Sequence, residues 1–224
     1  MHLRAALFDL DGTLLDSLHD IGAAMNHALA SQGLPVHPLA AYRHFVGEGV
    51  QVLVSRAVPA DRAELQAPVL AAYRAFYAEH MQDHTRPFPG IPALLARLAD
   101  EGVKLAVLSN KPDASTRRLV ADLLPDVRFG AVYGERSGVP RKPDPTAALS
   151  IAAELGVGPG DCAFIGDTGV DMETARAAGM YGVGVTWGFR GEEELQTHGA
   201  RVLARTADEL LQALVGAPRA VTRP

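Results

Sequence analysis

Two aspartates, Asp9 and Asp11, have the spacing in this sequence that most strongly indicates chemistry. They follow the apolar run of residues 3–8 and precede Gly12 and Thr13, which places them at the end of a predicted buried strand. Carboxylates are costly to hold side by side near a core, so such a pair usually binds a cation or takes part in a reaction. One carboxylate can attack an electrophile while the second donates and accepts a proton.

Two simpler explanations of this segment fit the residues less well. A calcium loop of the EF-hand type starting at Asp9 needs glycine at its sixth position and glutamate at its twelfth. Those positions hold Leu14 and Asp20, which excludes such a loop. Asp11 can cap a following helix, but a cap explains one aspartate and not the pair. Gly12 lets the backbone approach a ligand closely, so neighbouring N–H groups are expected to bind an anion.

Two further polar clusters have weaker signals when each is taken alone. Ser109 and Asn110 follow the apolar run of residues 103–108, and a hydroxyl at a strand end can bind a phosphate oxygen, although such a serine is more often a turn residue. Residues 111–113 are interpreted as the turn into the next helix. Lys142 precedes a predicted helix whose start is marked by proline. Its positive charge would balance the negative charges of the aspartates and of a bound phosphate.

Asp167 and Asp171 form the last cluster, directly after the apolar run of residues 162–165. Few oxygen ligands, with room for waters and a substrate phosphate, suit magnesium. Asp171 can also cap the helix that follows. All four clusters are expected at one edge of a sheet, because open α/β sheets place their sites beyond the carboxyl ends of the strands.

The elements that must position these residues fall into two parts. Residues 1–15 and 86–216 alternate strands with helices, which predicts an α/β fold with a doubly wound parallel sheet. Residues 16–85 contain helical patterns, beginning with a capping box of Ser17 and Asp20, and form an α-helical insertion. Residues 217–224 are predicted to be a flexible tail.

Composition narrows the class of protein. The chain has 224 residues, of which 48% are hydrophobic, and a net charge of −5, which does not fit a nucleic-acid binder. The longest apolar runs are well short of the roughly 18 residues of a membrane span, and Asp9 and Asp11 interrupt the first run, so we expect neither a membrane anchor nor a signal peptide. The single cysteine, Cys162, is expected to be a buried structural thiol, as in a cytoplasmic protein.

In order and spacing, Asp9-x-Asp11, Ser109, Lys142 and residues 166–171 resemble the four motifs of the haloacid dehalogenase superfamily, specifically its Asp-x-Asp phosphatase branch. The resemblance covers nearly the whole chain. It implies a haloacid dehalogenase-like Rossmannoid core and identifies the helical insertion as a cap domain that closes over the site, with hinges near residues 14–17 and 83–87. Dehalogenases of the superfamily lack an acid at the position of Asp11, which disfavours that activity.

The resemblance implies a magnesium-dependent phosphomonoesterase with assigned roles for these residues. Asp9 would be the nucleophile that forms an aspartyl-phosphate, and Asp11 would protonate the leaving alcohol and then activate water. Lys142 would assist catalysis, and Asp171 would position Lys142 or a metal-bound water. The phosphoryl group would be bound by Gly12, Thr13, Ser109, Asn110 and Lys142, and Mg²⁺ would be held by a site comprising Asp9, the carbonyl of Asp11, Asp167 and Asp171.

Within the predicted cap, Arg43, Gly47, Glu48 and Gly49 are the candidates for substrate specificity. The glycines permit close approach and Arg43 can face an anionic group, although a helix-to-helix turn with a surface arginine explains the segment equally well. With residues 109–112, Ser-Asn-Lys-Pro, this segment most resembles bacterial phosphoglycolate phosphatases, which commonly carry threonine in place of the serine.

That resemblance implies a small phosphorylated metabolite as substrate, with 2-phosphoglycolate as the first candidate. Sugar phosphates, amino-sugar acid phosphates, nucleotides and pyrophosphate stay open as alternatives, since the core motifs do not separate them. The further alternatives are a phosphomutase like β-phosphoglucomutase and a non-catalytic binding module. The presence of Asp11 argues against the binding module, because a protein that only binds needs no acid at that position. A monomer or homodimer is expected, with neither nucleic acid nor membrane as a partner.

Overall fold

Residues 3–216 are described by a computed structural model of the protein, and the tail predicted for residues 217–224 lies outside them. A six-stranded parallel sheet with the order β5-β4-β1-β6-β7-β8 forms the centre of this part of the chain, and β2 and β3 pair separately. The strands are β1 (Ala5–Phe8), β2 (Leu15–Asp16), β3 (Arg86–Pro87), β4 (Lys104–Pro112), β5 (Ala131–Glu135), β6 (Cys162–Gly166), β7 (Tyr181–Val185) and β8 (Val202–Ala204).

Helices connect the strands and cover both faces of the sheet. They are α1 (Leu18–Ser31), α2 (Tyr42–Phe45), α3 (Val50–Ala57), α4 (Gln66–His80), α5 (Ile91–Asp100), α6 (Asp113–Leu123), α7 (Thr146–Glu154), α8 (Gly169–Ala177), α9 (Glu192–Thr197) and α10 (Ala207–Val215). Between residues 3 and 216, none of them is long and apolar enough to cross a membrane. The doubly wound α/β fold predicted from the sequence is confirmed.

The central strand β1 shows why the sheet is buried on both faces. Its side chains alternate, so Ala6 and Phe8 join one hydrophobic cluster while Ala5 and Leu7 join the other. The first cluster contains residues of α5 and α10, and the second contains residues of α7 and α8. A strand covered on both faces is apolar along its whole length, which is the pattern of Ala5–Phe8.

Two adjacent segments, β2 and β3, join the helical insertion to the sheet domain, and we refer to this pair as the crossing. β2 and β3 pair antiparallel, with Leu15 opposite Pro87 and Asp16 opposite Arg86. Between them lie α1 to α4, and α1 packs against α4. β2 and β3 lie within the two segments predicted as hinges, residues 14–17 and 83–87.

The predicted capping box at the start of α1 is wrong. The Ser17 hydroxyl donates to Asp11 Oδ1 at 2.6 Å, and the helix has no side-chain hydrogen bond at its N-cap. Asp20 instead accepts hydrogen bonds from the Thr85 N–H at 2.8 Å and the Thr85 hydroxyl at 2.7 Å. The spacing of Ser17 and Asp20 correctly predicts that the Asp20 carboxylate accepts hydrogen bonds. It does not predict their donor, because Thr85 lies 65 residues further along the chain.

Candidate active site

Four buried charged residues meet at the carboxyl edge of the sheet, and we refer to Asp9, Lys142, Asp167 and Asp171 as the acid cluster. Asp9 follows β1 and Asp167 follows β6, and these strands are neighbours in the sheet. Lys142 comes from the loop between β5 and α7, and Asp171 lies in the first turn of α8. Three segments distant in sequence therefore deliver these four charges to one point, as the sheet topology requires.

Lys142 is the cation of the acid cluster. Its Nζ lies 2.7 Å from Asp171 Oδ1 and 3.0 Å from Asp9 Oδ1, with 1% of the lysine side chain exposed. Burial alone would lower the pKa of Lys142, but the negative charges of Asp171 and Asp9 outweigh it and raise the pKa above its usual value. The ammonium is therefore charged and held between two carboxylates.

The carboxylates of the cluster are not fully compensated by this one ammonium. Burial, opposed by Lys142 and reinforced by the charge of Asp171, raises the pKa of Asp9 to about 6. Burial, with the charges of Asp171 and Asp9, raises the pKa of Asp167 well above its usual value. The fold alone therefore disfavours the charged forms of Asp9 and Asp167, and a bound cation would favour them.

The donor atoms fit magnesium. Carboxylate oxygens of Asp9, Asp167 and Asp171 lie within 4.8 Å of one another, and all three residues are buried. A Cβ at Gly12 or at Gly188 would overlap the Asp167 side chain, so two glycines leave space around this carboxylate. Hard oxygen donors of this kind, few in number and beside a cavity, are typical of magnesium sites.

Asp171 is engaged on both of its oxygens. Oδ2 accepts from the Thr168 N–H at 3.0 Å and from the Thr168 hydroxyl at 2.7 Å, which forms a capping box at the start of α8. Oδ1 accepts from Lys142 at 2.7 Å. The predicted helix cap is confirmed, and the contact with Lys142 is the arrangement expected of a residue that positions this lysine.

Asp9 presents one oxygen to the cavity beside the cluster. Its Oδ1 accepts from the Leu10 N–H at 2.7 Å and faces Lys142. For Oδ2, the structure of residues 3–216 shows no hydrogen-bond donor, and Asp9 is among the residues that line the cavity. A carboxylate that lines a cavity, with one oxygen fixed and the other without a donor, can attack an electrophile placed there.

Asp11 lies at the edge of the same cavity, in an ion pair with Lys111. The Lys111 Nζ is 3.0 Å from Asp11 Oδ1 and 2.9 Å from Oδ2. Sequence reasoning missed Lys111, because residues 111–113 were interpreted as a turn, whereas β4 continues to Pro112. The signal was available, since Ser109 and Lys111 are two residues apart and side chains alternate along a strand.

Ser109 and Asn110 lie in the same strand and have different roles. The Ser109 Oγ accepts from the Lys111 N–H at 3.3 Å and borders the cavity. The Asn110 side chain donates to the carbonyls of Gly47 and Lys142, both at 3.1 Å, and accepts from the Lys142 N–H at 2.9 Å. Asn110 therefore fixes the backbone of Lys142, and its predicted contact with phosphate stays a prediction.

A family model described as haloacid dehalogenase-like hydrolase matches residues 3–179 of this sequence. The chain belongs to the haloacid dehalogenase-like hydrolases. A phosphoglycolate phosphatase of Pseudomonas putida is 38% identical over 196 residues, 83% of this chain and 70% of that protein. One of Yersinia pestis is 35% identical over 213 residues, 93% of this chain and 92% of that protein. The crystal structure of a protein from Lactobacillus delbrueckii subsp. bulgaricus is similar with a TM-score of 0.91 at 37% identity, covering 97% of this chain and 100% of that one.

In this haloacid dehalogenase-like hydrolase, the turn after Asp9 is closed by its own backbone. Gly12 has a φ of +83°, which favours glycine, and its N–H donates to the Leu15 carbonyl at 2.9 Å. The Thr13 N–H donates to the Leu10 carbonyl at 3.3 Å, and its hydroxyl donates to Asp167 at 3.1 Å. The phosphate contacts predicted for Gly12 and Thr13 stay predictions, and in the described structure these donors stabilise the turn and Asp167.

The cap segment with the predicted specificity residues is docked on the hydrolase core. Gly47 and Gly49 line the cavity, and Gly49 has a φ of +92° directly before α3. Arg43 is exposed, donates to the Gly188 carbonyl at 3.1 Å and does not line the cavity. Glu48 pairs with Arg56 of α3. The four specificity assignments stay predictions, and the structure brings the two glycines to the site rather than the two charged side chains.

Proposed function

We propose that this chain is a magnesium-dependent phosphomonoesterase that hydrolyses 2-phosphoglycolate through a phosphoryl group carried on Asp9. The observation that carries the proposal is the acid cluster, in which a half-coordinated carboxylate faces a cavity beside a buried lysine and two further aspartates. The names of the relatives from Pseudomonas putida and Yersinia pestis support the choice of substrate.

The reaction follows from the two aspartates of the first motif. Asp9 Oδ2 attacks the phosphorus, and the bond between phosphorus and the ester oxygen breaks. Asp11 in its acid form gives a proton to the leaving oxygen, which departs as glycolate. Asp11 then accepts a proton from water as the water oxygen attacks the phosphorus, and inorganic phosphate leaves Asp9 in its starting form.

The remaining residues position the phosphoryl group and compensate its charge. Lys142 donates toward its oxygens from between Asp9 and Asp171, and the Ser109 hydroxyl donates a further hydrogen bond. Asp9, the Asp11 carbonyl and Asp167 would hold Mg²⁺, with Asp171 positioning Lys142. When bound, the metal supplies positive charge to the phosphoryl oxygens, the usual contribution of a cation to phosphoryl transfer.

The cavity favours a small substrate over a sugar or a nucleotide. Its volume is about 40 Å³, and its wall on the cap side is mostly apolar. The residues of this wall are Ile21, Val46, Val50, Leu53 and Tyr73. A sugar phosphate would place several hydroxyl groups against this wall, where Tyr73 offers the one hydroxyl partner among the five side chains, and unpaired hydroxyl groups are costly. A two-carbon acid places a single methylene there.

We further propose residues 16–85 as a mobile cap and residues 1–15 and 86–216 as the core. The cap segment is held to the core mainly by hydrogen bonds between side chains and backbone carbonyls, including those from Asn110 to Gly47, from Arg141 to Glu48 and from Arg190 to Val46. These bonds have to break for the cap to swing about β2 and β3, and closure excludes water from the site. The proposed setting is the cytoplasm, since Cys162, the single cysteine, is a buried thiol.

The proposal is tested by phosphate release from a panel of phosphorylated metabolites, with magnesium and with chelator. We expect 2-phosphoglycolate to be the best substrate and chelator to abolish turnover. The Asp9→Asn variant is expected to be inactive, and Asp61→Asn, at an exposed position of the cap, serves as the matched control. Preference for a sugar phosphate or a nucleotide would overturn the substrate, and absence of turnover with folded protein would overturn the enzyme assignment.

A further inference from the structure

Lys111 is a buried cation that faces the cavity in the described structure. Its side chain is 5% exposed, and its Nζ contacts both oxygens of Asp11. On another side the ammonium lies 4.7 Å from the ring centroid of Tyr77 on α4 of the cap. An ammonium has three donors, so two bonds to Asp11 leave one for a further acceptor in the cavity.

Among residues 3–216, Lys111 is the one lysine or arginine that lines this cavity. The other cations nearby do not line it. Lys142 is held by Asp9 and Asp171 beneath the cavity. The arginines of the surrounding loops donate to backbone carbonyls, Arg43 to Gly188, Arg141 to Glu48 and Arg190 to Val46. A second negative charge on a bound substrate therefore has Lys111 as its partner in this wall.

The position of Lys111 suits an acidic group close to the scissile bond. Asp11 has to reach the ester oxygen in order to protonate it. In 2-phosphoglycolate the carboxyl carbon is two bonds from that oxygen, so the carboxylate lies next to whatever contacts Asp11. The ammonium of Lys111, 2.9 Å and 3.0 Å from the Asp11 oxygens, occupies this neighbourhood.

We propose that Lys111 binds the substrate carboxylate and thereby selects phosphate esters that carry an acidic group next to the ester carbon. This inference rests on the proposed phosphomonoesterase function and extends it to a specificity-determining residue. The third donor of the ammonium meets the carboxylate, while the apolar cap wall, which includes Val50 and Leu53, covers the methylene. Because the ammonium is almost fully buried, its attraction to a carboxylate is stronger than in water.

The test compares two substrates that differ only in the second group, 2-phosphoglycolate and 2-hydroxyethyl phosphate. For the native enzyme we expect kcat/KM to be about 100-fold higher for the acid, the value of one charged hydrogen bond that the alcohol does not make. In Lys111→Gln we expect this ratio to fall to within about 3-fold of unity, mainly through a higher KM for 2-phosphoglycolate. Lys111→Arg retains the charge and is expected to retain most of the preference.

Lys104→Gln is the matched control, because Lys104 begins the same strand at its opposite end and donates to the Leu155 carbonyl. It is expected to leave the substrate ratio unchanged. The ratio separates specificity from a structural role, since loss of support for Asp11 would lower the rates with both substrates equally. An unchanged ratio in Lys111→Gln would overturn the inference even if both rates fell.

The same two-substrate assay distinguishes failure of the proposed function from failure of the inference about Lys111. A native enzyme that hydrolyses neither ester removes the proposed function. A native enzyme that hydrolyses both esters equally keeps the phosphatase and removes the role of Lys111. If Lys111→Gln does not fold, as judged by circular dichroism, the inference is tested by the ratio of kcat/KM for the two esters in the native enzyme and in Lys111→Arg. Equal rates for the two esters in the native enzyme, or a preference lost in the folded arginine variant, would count against a charge-selecting lysine.

Discussion

Buried aspartates occur in two regions of this molecule, and their surroundings are opposite. At the crossing between core and cap, Asp20 receives hydrogen bonds from the Thr85 N–H and hydroxyl and from the His84 N–H. Burial alone would raise its pKa, but these donors outweigh burial and lower it. At the sheet edge, Asp9 and Asp167 have raised pKa values.

The difference separates a structural acid from a functional one. Hydrogen-bond donors surround Asp20, among them the Thr85 hydroxyl, the Thr85 N–H and the His84 ring, so its charge is satisfied by the fold itself. Asp9 shares the ammonium of Lys142 with Asp171, and burial together with neighbouring carboxylates raises the pKa of both Asp9 and Asp167, so the charge of these acids is not satisfied by the fold alone. A protein tolerates such a cluster where a cation and an anionic substrate complete it, which is why strongly perturbed pKa values mark candidate sites.

The largest expected effect comes from Asp9→Asn. An amide is a poor nucleophile, so kcat should fall by about 10⁴-fold or more, as expected for removal of a group that forms the covalent intermediate. In chelator at neutral pH the melting temperature should be unchanged or higher, because the substitution removes one of the mutually repelling charges. Steady-state kinetics and thermal melts check both. A large loss of stability would mean that Asp9, like Asp20, is satisfied by the fold.

Lys142→Met should affect both activity and stability. The variant leaves Asp9 and Asp171 without their shared cation, and breaking a buried ion pair on one side typically costs about 3 kcal/mol. We expect kcat/KM to fall by about 10³-fold, near the loss of one strong charge-stabilising donor. Denaturant melts in chelator measure the first effect. If stability is unaffected, the charge of the cluster is compensated by groups other than this lysine.

The two regions should respond to pH with opposite signs. The folded pKa of Asp9 is about 6 and lies above its ordinary 3.8, so the folded state binds this proton more tightly. In chelator, the free energy of unfolding should therefore rise as pH falls from 7 toward 5. Asp20 has a lowered folded pKa, so its contribution is present above about pH 4 and is lost below it.

This pH dependence is measured by denaturant melts with chelator across the range. Asp9→Asn should remove part of the rise between pH 7 and pH 5, while Asp20→Asn should leave that rise intact. Adding Mg²⁺ at pH 7 should raise the melting temperature, because a ligand of the folded state stabilises it. A free energy of unfolding that falls steadily from pH 7 to pH 5 in chelator would contradict the assignment of raised pKa values to the acid cluster.

Much of the sheet and the acid cluster could be predicted from the sequence. The apolar runs before Asp9 and Asp167 form β1 and β6, and the carboxyl ends of parallel neighbours meet at one edge, so strand ends alone bring these acids together. Strand β8, with three residues, is too short to give a pattern and was not predicted. The roles of the individual residues remain predictions that kinetics must test.

Contacts across long sequence separations could not be predicted. Arg190 and the Val46 carbonyl are 144 residues apart, and no local pattern connects the cap segment to its partner. The same holds for Asp20, whose spacing after Ser17 resembles a capping box, while its donors come from Thr85. Lys111 was missed for another reason, because a strand that continues through Ser-Asn-Lys-Pro has the composition of a turn.

The smallest expected effect is that of Asp20→Asn, which tests the structural side of the comparison. The amide is a weaker acceptor than the carboxylate and presents a donor to the Thr85 N–H, so we expect a loss of about 2 kcal/mol in the free energy of unfolding. The kcat should stay within about 3-fold of the native value, because Asp20 supports the crossing and not the acid cluster. Thr85→Val, which removes only the hydroxyl donor, should cost about 1 kcal/mol.

Asp16→Asn is the matched control for Asp20→Asn, since Asp16 lies in β2 of the same crossing with an exposed side chain. Its effect on stability should stay within about 0.5 kcal/mol. Denaturant melts measure the free energy of unfolding of Asp20→Asn, Thr85→Val and Asp16→Asn, and steady-state kinetics measure their kcat. If Asp20→Asn lowered kcat as strongly as Asp9→Asn without loss of stability, the crossing would take part in the chemistry. A buried aspartate surrounded by hydrogen-bond donors would then not be evidence of a structural role, and unsatisfied charge would no longer distinguish the two regions.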